Sequence, residues 1–359
     1  MRRTVTISID QLYRHQPGGI ATYVRGLVQG LASLGEDLDL VGLAPRGEVP
    51  AEAASLALRL RQAPVPLNVL TRIWPLLALG VPRASSVVHA TSMAGPFAGG
   101  ASHAVHSVAM HDLMWRDEPA ASTRAGIRFH EERLQLIVRR DDLRVLTTSP
   151  GLAERLSALG VAASRLRTVR LGVDDATQSA SSPQAVRELL AAHGVTGPFT
   201  LYAGTREPRK NLERLVEAHR DARARNDALG PLVVAGPAGW GGVETKDSVV
   251  LGMVERSTLL GLYRDATVFA YVPRAEGWGL PPVEALHAGT RVVASTTTPS
   301  VRENATVVRV EALDVGSIAD GLVRALDLPT DEAGVDARKS SVGELTWRNA
   351  ALDHVAAWR

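Results

Sequence analysis

The chain contains no cysteine. Disulfides, thiolate nucleophiles and cysteine-ligated zinc are therefore excluded. Aromatic residues make up only 4% of its 359 positions, so Ala, Leu and Val must build most of the core. An excess of one charge is also missing: 40 Lys and Arg stand against 38 Asp and Glu, a formal net charge of +2. That balance excludes a strongly basic nucleic-acid coat, and no nucleic-acid partner is expected, although local basic patches remain open. No long apolar run is present. WPLLALGVP at 74–82 is far shorter than the roughly 20 residues that a spanning helix needs. The start, MRRTVTISID, is basic but leads into alternation, not into a signal-type apolar core, so a cytoplasmic location is expected.

What is there has an α/β pattern. The length suggests two domains or three. Strand-like runs stand at 4–10, 38–44, 86–90, 104–110 and 143–149, and again at 199–204, 231–236, 248–253, 267–272 and 290–295. Several are short, continuous and β-branched. That is how a parallel strand covered on both faces reads. Two such series alternating with helix-like runs predict two doubly wound domains. GVDDATQSASSPQ at 172–184 is small, polar and turn-prone, and reads as a linker. The expected division is 1–172, 173–335, and a terminal segment at 336–359. In that segment ELTWRNAALDHVAAW has helical spacing and is expected to pack back on the first domain.

Four segments could carry chemistry. In HQPGGIATYVRGL, the turn Pro17-Gly18-Gly19 opens a helix soon after the first strand. Its backbone N–H groups can face an anion, or the turn is a plain strand–helix connection. It is not the GxGxxG dinucleotide fingerprint. AMHDLMW places His111 and Asp112 just past a buried strand, where open sheets bind ligands, although a His–Asp pair capping a turn reads the same way. LYAGTREPRKNLERL carries Arg206, Arg209 and Lys210 between Gly204-Thr205 and a helix opened by Asn211. Three cations beside a helix start suit a diphosphate whose charge grows as it leaves, where a solvated basic turn is the alternative. Finally, RAEGWGLPPVEALHAG sets Glu276 in a loop and Glu284 in what reads as a first helical turn. Pro281 and Pro282 are tolerated there, and Gly277 and Gly279 let the backbone approach a ligand. Carboxylates only accept, so they suit sugar or ribose hydroxyls, unless the segment is a capped helix with an incidental acid.

Taken together, these segments resemble the retaining glycosyltransferases of family 4, which have the GT-B fold. The sequence Glu276-Gly-Trp-Gly-Leu-Pro-Pro-Val-Glu284 is similar to the family's E-x7-E motif, and AGTREPRKNLERLVEA to its phosphate segment. The resemblance runs along almost the whole chain. It implies an α/β architecture of two Rossmann-like doubly wound domains facing across a cleft, with the acceptor in the first and a GDP- or UDP-hexose, mannose favoured, in the second. Glu284 would hold the ribose hydroxyls. Glu276 would hold hydroxyls of the transferred sugar, helped by N–H groups around Gly277, Trp278, Gly279 and Leu280. Lys210, with Arg209 or Arg206 beside Gly204 and Thr205, would bind the diphosphate. Many family members carry Arg where Thr205 stands, so one of the neighbouring arginines would supply that charge. Met253 and Val254 would receive the base, His111 would contact the transferred sugar, and Gly18 and Gly19 would approach donor phosphates or acceptor. No cofactor and no metal is expected, since the one DxD, Asp37-Leu38-Asp39, reads as surface. The rival readings are a catalytically silent nucleotide-sugar-binding module and a GT-B-type epimerase. RAGIRFHEERLQLIVRRDDLR at 124–144 could add peripheral contact with an anionic membrane, or is an ordinary exposed amphipathic helix.

Overall fold

The computed structural model describes residues 3–14, 18–35, 38–97, 103–174, 180–239 and 241–359. Its strands form two wholly parallel sheets. The first contains β1 (Arg3–Ser8), β2 (Leu38–Ala44), β3 (Arg59–Gln62), β4 (Val87–Ala90), β5 (Val105–Met110), β6 (Leu143–Thr147) and β7 (Leu166–Thr168), in the order β3-β2-β1-β4-β5-β6-β7. The second contains β8 (Thr200–Ala203), β9 (Leu232–Ala235), β10 (Ser248–Gly252), β11 (Val268–Tyr271), β12 (Val292–Ser295) and β13 (Val307–Val310), in the order β10-β9-β8-β11-β12-β13.

Every residue of β4, β8, β9, β11 and β12 is buried, as continuous apolar runs require when helices cover both faces. Each of the ten expected runs contains a strand, which makes the fold two Rossmann-like α/β domains. Three further strands were not legible: β3, β7 and β13. All lie at sheet edges. β3, Arg-Leu-Arg-Gln, is mostly exposed and has no apolar face to announce it. In each sheet the order reverses once, between β1 and β4 and between β8 and β11. Ligands of open α/β sheets bind outside the carboxyl ends of the strands at that point.

The chain forms two compact units, Met1–Gly172 with Leu345–Arg359, and Val173–Glu344. The return to the first unit therefore starts at Leu345 and not at 336. Glu332–Ser340 is a helix of the second unit, where Arg338 Nε donates to the Gly289 carbonyl at 2.7 Å. The final helix, Trp347–Ala357, packs on Gly19–Ser33 in the first unit. The contact is close because Gly26 and Gly30 lack side chains. A Cβ on Gly26 would lie 1.9 Å from the Trp347 ring, and one on Gly30 2.0 Å from the Trp347 carbonyl oxygen.

Candidate active site

In the second unit, two loops leave adjacent strands at the reversal point. The loop after β8 runs through Gly204, Thr205 and Arg206 into a short 3-10 turn, Pro208–Lys210. The loop after β11 carries Glu276. Because β8 and β11 are neighbours, these loops meet. Lys210 Nζ donates to the Tyr271 hydroxyl at 2.6 Å and is ion-paired with Glu276 Oε2. Tyr271 donates to the same carboxylate oxygen, and the Gly277 N–H donates to Oε1 at 3.1 Å. An Arg209 nitrogen lies 3.6 Å from Glu276 and its Nε binds Glu207 at 2.9 Å. Burial alone would raise the Glu276 carboxyl, but Lys210 and Arg209 outweigh it and hold it at about 2. Burial pushes the Lys210 ammonium down, with Glu276 pushing back. Glu276 is therefore ionised at neutral pH, an acceptor only.

Asn211 does not cap the helix that it opens. It sits in the left-handed region at φ 62° and sends its amide across the sheet to the Val272 carbonyl at 2.9 Å and the Ala312 carbonyl at 2.6 Å. This ties the cationic loop to the end of β11. The β9 loop closes on it too: a Cβ on Gly236 would meet the Gly204 oxygen at 2.2 Å, and one on Gly239 the Arg206 oxygen at 2.4 Å. Arg206 Nε and Trp278 Nε1 are both buried without a hydrogen-bond partner among the described residues.

Glu284 lies in the second turn of Leu280–His287, not the first, so the helix end is not its main neighbour. It is 5% exposed and held by Arg256 at 2.7 Å. Arg256 also binds Asp174 at 2.9 Å, and burial of that guanidinium is outweighed by Glu284, which raises its pKa. Gly279 opens the helix at φ 95°, with Thr298 packed where a side chain would be. Met253 follows Gly252 and is 80% exposed, with Val254 beside it. Sequence reasoning brought out neither Tyr271, which reads as one more buried strand residue, nor Arg256 and Asp174, which carry no motif.

In the first unit, His111 follows β5 and lines a cavity of about 470 Å³ with Gln11, Arg14, Ser92, Trp115 and His130. Its Nε2 contacts the Thr91 carbonyl at 2.8 Å. A carbonyl only accepts, so Nε2 carries the proton and Nδ1 is left as an acceptor. Burial lowers the His111 pKa against the Thr91 carbonyl and Asp112. Asp112 accepts from the Met114 N–H at 3.0 Å, the turn-capping role. Gly18 and Gly19 stand at the start of Gly19–Ser33 with nothing within 4 Å of either Cβ position, while Pro17 lies outside the described residues. Asp37 also lies outside them, and Asp39 is bound to Arg59 at 2.6 Å.

Behind His111 lies a buried polar chain. Its ring packs edge-on against Tyr23 at 4.9 Å. The Tyr23 hydroxyl meets His89 Nε2 at 2.7 Å and His354 Nε2 at 2.8 Å. His354 Nδ1 faces the Ala350 carbonyl at 2.7 Å and must donate. Its Nε2 therefore accepts from Tyr23. Tyr23 then accepts from His89 Nε2, which leaves His89 Nδ1 to accept from Ser107 at 2.9 Å. Ser107 in turn accepts from Trp358 Nε1 at 2.9 Å. With both imidazoles neutral, as their burial favours, one proton arrangement satisfies every bond.

Among the described residues no group of three or more His, Asp or Glu is placed to hold a metal ion, and no helix is long and apolar enough to cross a membrane.

Known proteins are similar to this chain in sequence and in fold. Residues 18–172 match the family model described as "Glycosyl transferase 4-like domain", and 197–327 match "Glycosyl transferases group 1". O-antigen chain mannosyltransferase B of Escherichia coli is 25% identical over 267 residues, 69% of this chain and 68% of that protein. D-inositol 3-phosphate glycosyltransferase of Nocardia farcinica is 29% identical over 206 residues, 52% of this chain and 45% of that protein. Among solved structures, sucrose-phosphate synthase from Thermosynechococcus elongatus superposes with a TM-score of 0.73 at 19% identity, covering 100% of this chain and 98% of that one. Anabaena HepE in complex with UDP and glucose gives 0.71 at 14% identity, covering 99% and 98%. The two matched models fall one on each Rossmann-like unit, and the chain belongs to the GT4-type glycosyltransferases, as an enzyme of the GT-B fold.

Proposed function

We propose that this enzyme moves a hexose, mannose first, from a nucleoside diphosphate sugar to an acceptor hydroxyl with retention of configuration. The observation that carries this is the Lys210–Tyr271–Glu276 cluster at the carboxyl ends of β8 and β11. An ionised acceptor and a buried cation on one spot match a sugar hydroxyl beside a leaving diphosphate. The similarity to the Escherichia coli mannosyltransferase favours mannose. The base, guanine or uracil, would lie at Met253-Val254. Glu284 keeps one oxygen on Arg256 and offers the other to the ribose. Arg206 takes the place of the arginine that Thr205 does not supply, because its Nε is buried and unpartnered whereas Arg209 is engaged by Glu207 and Glu276. Trp278 Nε1 and the N–H groups of Gly279 and Leu280 add donors, while the Gly277 N–H orients Glu276 through Oε1.

In the reaction, the acceptor oxygen attacks the anomeric carbon from the face that the diphosphate is leaving. The carbon–phosphate oxygen bond breaks, and the departing phosphate oxygen takes the acceptor's proton. Lys210 and Arg206 meet the charge that develops on the diphosphate. Glu276, held at about 2 by two cations, is a weak base and a weak nucleophile, so its role is to orient hydroxyls. Because the chain's own cations meet the leaving charge, chelators should leave the rate unchanged. His111 accepts a hydroxyl of the transferred sugar through Nδ1, and Gly18 and Gly19 offer N–H groups to a phosphate or the acceptor.

A thermal-shift panel tests this reading. GDP- and UDP-hexoses should raise the melting temperature in a concentration-dependent way by mass action. A flat response to every nucleotide and nucleotide sugar would remove the donor site. His111→Ala should lower kcat by about 10²-fold while calorimetric donor affinity changes less than threefold. Equal loss in both would make His111 a structural residue.

A further inference from the structure

The first unit carries an acid-free stretch. Between Glu52 and Asp112 there is no Asp or Glu, while Arg59, Arg61, Arg72 and Arg83 all fall within it. At its middle, the chain turns its leucines outward. Leu76 is 62% exposed, Leu77 61% and Val69 38%, three of the six large exposed hydrophobics among the described residues.

This knuckle is built, not loose. Trp74 is fully buried with Leu43, Ala63 and Leu70, and its Nε1 donates to the Leu79 carbonyl at 3.0 Å. The N–H groups of Leu76 and Leu77 both bond to the Ile73 carbonyl, at 2.9 and 2.8 Å. The turn is therefore staked from below and presents two apolar side chains to water. Cations ring it. Arg72 and Arg83 are exposed, and Arg61 reaches the Gly80 carbonyl at 2.7 Å.

We infer that this surface docks on an anionic phospholipid bilayer, with Leu76 and Leu77 entering the interface and Arg61, Arg72 and Arg83 meeting the headgroups. Cations around exposed leucines match a surface with negative heads over an apolar interior. A second copy of the chain is a poorer occupant, because three side chains cannot supply the roughly 800 Å² per partner of a stable interface. The helix Arg124–Val138 is a weaker candidate for membrane contact, since Arg128 is paired with Glu132 and Glu131 faces Arg116. The knuckle also adjoins the His111 cavity: Thr71 lines that cavity and its carbonyl is held by Arg133 at 3.2 Å. Docking here would bring the cavity mouth to the membrane. An amphiphilic acceptor follows only if the transferase reading above holds, whereas the docking itself does not depend on it.

Cosedimentation of the full chain with vesicles tests the inference. Vesicles of equal parts phosphatidylcholine and phosphatidylglycerol should bind it, and pure phosphatidylcholine should bind it much less. Arg72→Gln and Arg83→Gln should each lower the partition coefficient about fivefold on the anionic vesicles, and raised salt should act in the same direction. Leu76→Asp with Leu77→Asp should lower it at least about tenfold, with the melting temperature and the nucleotide-sugar thermal shift unchanged. The inference is overturned if the native chain ignores anionic vesicles, or if the leucine variant binds them as the native chain does. It is equally overturned if gel filtration shows that the leucines govern self-association and not vesicle binding.

Discussion

Replacing Lys210 with Met is expected to lower kcat/KM by about 10²- to 10³-fold, the usual effect of removing one preorganised group from a developing anion. Some of that loss could arise from damage to the site. Lys210 and Glu276 are both mostly buried, with side chains 11% and 13% exposed, and removing one partner of a buried pair typically destabilises by about 3–5 kcal/mol. The double variant Lys210→Met with Glu276→Gln separates the two effects. It removes both charges, so most of the stability should return while activity does not. Denaturant melts and steady-state rates on the three variants form the cycle. If the double variant recovers activity together with stability, Lys210 is a structural ion-pair partner and the diphosphate role is lost. A second readout is pH. Without Lys210, the first cation that holds Glu276 at about 2 is gone, so its carboxyl should titrate at higher pH, and any residual activity should fall off earlier in acid.

Acid should also loosen the first unit, through the buried chain that joins Tyr23 to the last helix. His354 is fully buried, and burial lowers its pKa to about 4 against the Ala350 carbonyl and Asp353, with His111 adding a little in the same direction as burial. Burial lowers His89 well below 6.5, with His354 and His111 adding to it. Asp353 itself is held by Arg170 at 2.8 Å. The sign is fixed by which state binds more protons. Between pH 6.5 and 4 the unfolded chain protonates His354 and the folded chain does not, so stability is full above 6.5 and falls as pH drops toward 4. At 1.36 kcal/mol per unit, His354 alone accounts for about 3 kcal/mol. Structurally, a proton on either imidazole puts a charge inside a fully buried network that is satisfied with both rings neutral, and burial is what opposes it. Urea melts from pH 7.5 to 4 measure the slope. His354→Met should cost stability at neutral pH and flatten the slope below 6.5 by about 1.4 kcal/mol per unit. An unchanged slope would show that the imidazole is not what acid attacks.

Much of the candidate site was legible because its residues are consecutive. Gly204 to Asn211 and Glu276 to Glu284 each leave a strand and enter a helix, so residue type and spacing place them at a sheet edge. The position of His111, just past a strand end, was legible for the same reason. What could not be read was partnership. Glu276 and Lys210 looked like separate ligands for a sugar and a diphosphate, yet they bind each other and share Tyr271. Glu284 looked like a first-turn residue, yet it lies in the second turn and Arg256 holds it. Asn211 looked like no more than the residue that opens a helix, yet its amide serves two distant carbonyls.

The sequence by itself pointed to the parallel sheets, because two series of short continuous apolar runs alternate with helix-like runs, and it determined which loops carry charge and glycine. Only the tertiary structure decided which charges meet. Lys210 and Glu276 are 66 positions apart and Tyr23 and His354 are 331 apart. Both pairs exist because strand order and helix return make neighbours of elements that are distant along the chain. That order is set by the packing of whole sheets, and a pattern that repeats every two or 3.6 residues holds no record of it.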